Sequence, residues 1–235
     1  LAVIGDSQDL VRLYGDYDLM GNAYLDLRNP GTFESFDRLY DDGAKSAVLV
    51  DEHVQVEVQR SGGEVYRFGS SGNDTLSGDL NGATADKLYG RGGDDSLQFD
   101  AADLVIDGGN GVDTLLGASG SIDLSNVSNI EAIDTTDASP TALELDSMDL
   151  FNVVGDNSLD QLLSDGMKKI IINGDTTDTV TLDGNTLWDI NGGLTGGLSS
   201  TYTEETLFGG TYVKFTTSAG IDVYVHANLV DDTPT

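Results

Sequence analysis

A nine-residue repeat in the middle of this chain constrains its fold more than any other feature. Gly108-Gly109-Asn110-Gly111-Val112-Asp113-Thr114-Leu115-Leu116 has the form G-G-x-G-x-D-x-U-x, where U is a large apolar residue. Gly90-Arg91-Gly92-Gly93-Asp94-Asp95-Ser96-Leu97-Gln98 and Gly69-Ser70-Ser71-Gly72-Asn73-Asp74-Thr75-Leu76-Ser77 keep every defined position except the second glycine. Two weaker nonads, 81–89 and 99–107, fill the intervals, and Gly78-Asp79-Leu80 is a three-residue insertion. A unit this short holds a turn and one short strand, and it cannot bury its own apolar residue. Two nonads therefore make one flattened coil, and alternate turns stack on the same edge. Leu76, Leu88, Leu97, Ile106 and Leu115 are expected to point inward, with the register running on through Leu124 to Ile133. Parity places the turns that begin at Gly69, Gly90 and Gly108 on one edge and the degenerate turns on the other.

Composition agrees with a turn-dominated chain. Of 235 residues 30 are Gly, and 41 acidic side chains against 11 basic ones give a net charge of -30. Such a field excludes a nucleic-acid binder, which needs a basic face. With no Cys, disulfides and thiolate-bound metals are excluded as well. No apolar run approaches the length of a membrane span. Asp supplies a short hard-oxygen ligand and Gly the tight turns that calcium loops need; an acidic surface kept for solubility is the competing explanation of the same counts.

The nonads resemble the repeats-in-toxin (RTX) family, and the resemblance implies an all-β fold built on a parallel β-roll over 69–117. It also implies calcium between successive turns. In that family an ion takes carbonyls at positions 1 and 3 and the Asp of one turn, with positions 2 and 4 and the Asp of the next. Carried over, one ion would take Gly69, Ser71 and Asp74 with Arg91, Gly93 and Asp95. A second would take Gly90, Gly92 and Asp95 with Gly109, Gly111 and Asp113. Ser70 and Arg91 stand where the consensus has glycine, and Arg91 is expected to lend only its carbonyl, its charge being immaterial. The parity predicts calcium on this edge and little or none opposite. A metal-free stack would align Asp74, Asp95 and Asp113 as like charges.

Gly120-Ser121-Ile122-Asp123-Leu124-Ser125-Asn126-Val127-Ser128-Asn129-Ile130-Glu131-Ala132-Ile133-Asp134 resembles the segment after the last repeats of large bacterial surface adhesins exported by type I secretion. Residues 118–235 are expected to be β-rich, with strands near Thr141–Leu145, Lys169–Ile172 and Thr179–Leu182. A hairpin is expected about Gly209-Gly210, a strand over Ile221–Val225, and short helices at Ser147–Val153 and Ser158–Leu163. Residues 1–68 form a β-rich flank: Val54, Val56 and Val58 alternate with polar residues as a half-buried strand, and Gly62-Gly63 turns the chain into Glu64–Phe68. Leu1 opens the chain without a charged, apolar leader, which predicts a piece of a longer protein. The resemblance to type I-secreted adhesins implies an uncleaved C-terminal secretion signal and export without an N-terminal signal peptide.

Catalytic patterns fail on inspection. Gly5-Asp6-Ser7 after Ala2-Val3-Ile4 resembles the start of a serine esterase, yet Asp222 and His226 are separated by one residue too many to complete it. Asp16-Tyr17-Asp18 begins like an EF-hand loop, but Met20 and Leu27 occupy ligand positions. His53 and His226 sit apart in valine-rich strands. The expectation is a non-enzymatic, extracellular module of a bacterial cell-surface adhesin that serves cell adhesion and biofilm growth. Its partners would be calcium ions and the type I secretion machinery, and it would fold on calcium binding once outside the cell. The alternative is a ligand-binding adhesin module that grips a peptide or glycan, with the roll as scaffold.

Overall fold

The computed structural model of the chain describes residues 1–6, 8–25, 34–78, 84–117, 120–136, 140–145, 150, 152–155, 168–182, 188–189, 204–207, 209–217 and 221–229. It is all-β, with parallel and mixed sheets. The apolar position of each nonad sets the register. Strands Thr75–Ser77, Ser96–Gln98, Thr114–Leu116 and Ala132–Asp134 pair in parallel, with Leu76 beside Leu97, Leu97 beside Leu115, and Leu115 beside Ile133. The same sheet continues through Lys168–Asn173 and Ile221–His226, so that Ile133, Ile172 and Val225 lie in one row.

The intervening nonads build a second sheet. Val65–Phe68, Lys87–Tyr89, Val105–Asp107 and Val127–Ser128 pair in parallel, with Leu88 beside Ile106 and Ile106 beside Val127. The chain thus crosses from one sheet to the other at every turn. The 69–74, 90–95 and 108–113 turns share one edge, as the spacing requires. In each three-residue strand the middle side chain is buried and its neighbours are less so, as period-two side-chain alternation demands.

The register departs from expectation at Leu124. Ile106 pairs with Val127, 21 residues on rather than 18, because Gly120–Ile122 opens a third sheet with Thr141–Leu145 and Thr179–Leu182. Leu124 is buried at the corner instead of in a strand. One apolar cluster then runs from Leu76 to Val225, across the sequence boundary at 117/118.

A separate apolar cluster holds the N-terminal flank: Leu39, Val48, Val50, Val54, Val56, Val58, Tyr66 and Phe68. The strand Gln55–Gln59 is not half-buried, because Glu57 is only 2% exposed. Its carboxylate points to the face opposite the valines. There Arg67 approaches it at 2.9 Å and Arg12 at 3.3 Å, a buried charge retained by pairing. Since Arg67 is in register with Leu88, this polar trio closes the top of the apolar ladder.

Beyond the repeats, Glu204–Leu207 and Gly210–Thr217 form an antiparallel hairpin whose second strand pairs with Ile221–His226. Residues 150 and 152–153 are helical, while the helix expected at 158–163 lies outside the described residues. Among the described residues no helix is long and apolar enough to cross a membrane.

Candidate functional site

The glycine-rich edge gathers buried carboxylates that the fold holds in a row. Asp95 is 1% and Asp113 0% exposed. Each Asp accepts a hydrogen bond from the backbone of the preceding turn: the Asp74 N–H donates to Asp95 Oδ1 at 2.7 Å, and the Asp95 N–H to Asp113 Oδ1 at 2.8 Å. The Asp113 N–H donates to Glu131 Oε2 at 2.8 Å, so Glu131 ends the row with a longer side chain in the same role. Asn73 and Asp94 form an outer ladder of opposite direction, accepting from the Asp94 and Val112 N–H groups of the following turns at 2.9 Å each.

Glycine is obligatory where the turns nest. A Cβ on Gly90 would collide with the Gly108 carbonyl oxygen and Asp95 Oδ2; on Gly108 it would meet the Asn129 carbonyl oxygen and, at 2.6 Å, Asp113 Oδ2. Gly93, Gly109 and Gly111 have φ of 104°, 97° and 140°, the region that favours glycine. Arg91 adopts φ 76° at the second position of its turn, which costs a side-chain-bearing residue about 1–2 kcal/mol. The 69–74 turn contains no left-handed residue.

The two sets of oxygens expected from sequence lie in different chemical states. In the later set, Oδ2 of Asp95 and Oδ2 of Asp113 are buried and accept no hydrogen bond among the described residues. The carbonyls of Gly90, Gly92, Gly109 and Gly111 accept none either. Burial pushes the Asp95 carboxyl up to about 8, with the Asp74 N–H opposing and the charges of Asp113, Asp74 and Asp94 adding. Burial likewise pushes Asp113 up to about 6. Buried carboxylates with one uncommitted oxygen each, beside uncommitted carbonyls, fit a hard divalent cation, because a cation is what would stabilise their charged form. When bound, calcium would supply charge neutralisation and a tie between adjacent turns, held by Asp95, Asp113 and those carbonyls.

Of the earlier set, Asp74 and the carbonyls of Gly69 and Arg91 are committed to protein donors, and Asp95 is shared with the later set. Asp74 Oδ2 accepts from the Ser70 N–H and from Ser70 Oγ at 2.9 Å, and Asp74 Oδ1 from Gln55 Nε2 at 2.6 Å. Gly69 O accepts from Arg91 Nη1 at 2.6 Å. Arg91 O accepts from the Asn110 N–H at 2.8 Å. Ser71 and Gly93 lie in the same pair of turns. The Arg91 side chain is therefore no bystander: it reaches Val54 O at 3.4 Å and lies 5.4 Å above the Phe68 ring.

The opposite edge is more acidic than parity suggests. Asp86 and Asp103 are 0% and 6% exposed, and burial pushes Asp103 up to about 7. Asp86 occupies the sixth position of its weak nonad and is visible in sequence; Asp103 sits one position early in the next and carries no motif signal. Gln55 carries no motif signal either, whereas Glu131 stands at the sixth position of the register that continues to Ile133, with Glu in place of Asp. Among the described residues no three His, Asp or Glu side chains gather round one point, so an ion here would draw largely on backbone oxygen.

Beside the glycine-rich edge lies a cleft of about 380 Å³, lined by Leu19, Glu52, Tyr89, Arg91, Asp107 and Asn110 among others. Its floor is the stacked pair Phe68 and Tyr89, with ring centroids 5.1 Å apart and planes inclined by 3°. Neither a protein-family model nor a curated protein matches the chain.

Proposed function

We propose that this chain is a calcium-dependent folding and export module of a bacterial cell-surface adhesin, built round an RTX-type parallel β-roll. The observation that carries the reading is the pair of buried carboxylates, Asp95 and Asp113, each with one oxygen that accepts no hydrogen bond among the described residues, in stacked glycine turns. Calcium at extracellular modules binds at about 10⁻⁴–10⁻³ M. At lower calcium the buried charges and the net charge of -30 oppose compaction, so the chain stays open enough to thread through a type I secretion channel. Outside, the ion joins the turns and the roll forms. The module has no catalytic role of its own. Far-UV circular dichroism and thermal melts in millimolar calcium and in chelator test this; the same β signal and midpoint in both would overturn it.

The cleft favours a second reading, a peptide- or glycan-binding adhesin module. Tyr89 offers an aromatic face, and Arg91, Asp107 and Asn110 offer hydrogen-bonding groups within one concavity. Array binding by the calcium-loaded chain, and its loss in Tyr89→Ala, test it.

A further inference from the structure

We infer that the Arg91 side chain takes the place of the first calcium ion, so that the glycine-rich edge binds metal only from the 90–95 turn onward. This rests on the calcium reading proposed above and alters the site set the repeats imply.

Both carboxylate oxygens of Asp74 already accept hydrogen bonds, from Ser70 and Gln55. Gly69 O and Arg91 O accept from the Arg91 guanidinium and the Asn110 N–H. An ion at this level would have to compete with five protein donors for Asp74, Gly69 O and Arg91 O, half of the set the repeats imply. One level on, Asp95 Oδ2 and Asp113 Oδ2 have no such donors. The difference follows from sequence. Serine at position 70 lends an N–H and a hydroxyl to Asp74. Arginine at position 91 spans back to the carbonyl of the preceding turn. Gln55 and the Val54 carbonyl belong to the N-terminal flank, so that flank completes the level.

Burial lowers the Arg91 guanidinium to about 10, which leaves it fully charged at neutral pH. A fixed monovalent cation, tethered by its own backbone, therefore supports the end turn whether or not calcium is present. The left-handed backbone at Arg91 is the conformation that a consensus glycine would adopt without strain. Restoring that glycine removes the guanidinium without disturbing the turn.

The test is calcium-45 equilibrium dialysis at millimolar calcium on the whole chain and three variants. Arg91→Gly is expected to bind one more ion than the wild type, Asp74→Asn the same number, and Asp95→Asn one fewer. If the wild type binds calcium and Arg91→Gly gains none, or Asp74→Asn loses one, Arg91 does not replace an ion and the inference falls while the calcium module stands. If the wild type binds none and Arg91→Gly binds one, the inference stands and the module reading falls. Binding by neither overturns both. Asp74→Asn keeps the inference falsifiable should Arg91→Gly misfold.

Discussion

Asp95→Asn should act with opposite sign in the presence and absence of calcium. The amide retains an oxygen to accept the Asp74 N–H, so the ladder bond survives. What it removes is a buried negative charge whose second oxygen has no hydrogen-bond partner among the described residues. Burial raises this carboxyl from 3.8 to about 8. At pH 7 the folded chain must therefore either carry a proton there or hold an unfavourable charge. Three units or so at about 1.4 kcal/mol per unit give about 4 kcal/mol. Screening by solvent at the sheet edge reduces this to about 2–3 kcal/mol. In chelator the variant should therefore be more stable than the wild type by about that amount. In millimolar calcium it should be less stable, having lost a charged ligand shared by two turns. Urea melts at pH 7 under both conditions measure the two differences. Equal destabilisation in both would refute the reasoning, because Asp95 would then be only an acceptor in the ladder.

Three further perturbations test separate parts of the fold. Asp103 faces Asp86 and Asp100, and burial raises it to about 7. A folded value above the unfolded one contributes stability that is complete below pH 3.8 and lost as pH rises through about 7, so Asp103→Asn should flatten the stability profile between pH 4 and 7; an unchanged slope in melts across that window would count against it. Leu97 is fully buried between Leu76 and Leu115, and Leu97→Ala should cost about 2–5 kcal/mol in urea melts, with or without calcium. Gly108→Ala drives a methyl into the Asn129 carbonyl and Asp113 Oδ2; it should weaken calcium affinity at least tenfold by calorimetry, and an unchanged affinity would remove the nesting argument.

The spacing of the nonads carried most of the architecture. Glycines 18 and 21 residues apart already imply two sheets, alternate turns on one edge and Leu97 between Leu76 and Leu115. The slip at Leu124 was not legible, because an insertion that opens a third sheet keeps the same apolar rhythm. Glu57 looked solvated because alternation along one strand cannot show that Arg12 and Arg67, from strands on either side, will enclose it. Arg91 misled for a related reason. A ligand set built from carbonyls treats side chains as spectators, and only the folded chain shows this one crossing to Gly69 and Val54. The extra buried acid at Asp103 escaped because it is displaced by one position from the motif.

The carboxylate ladder along the glycine edge has a direction. Every rung takes its donor from one turn and its acceptor from the turn that follows in sequence, from Asp74 to Asp95 to Asp113 to Glu131. The two ends are therefore not equivalent. A stack cut on its N-terminal side removes the donor of a carboxylate rung and leaves a strand N–H without its acceptor instead, since Ser96 and Thr114 donate back to Asp74 O and Asp95 O. A stack cut between Asp113 and Glu131 leaves an inward N–H with no acceptor. The N–H of Asp74, Asp95 and Asp113 is thus satisfied only by the turn synthesised after it, and Glu131 closes that series.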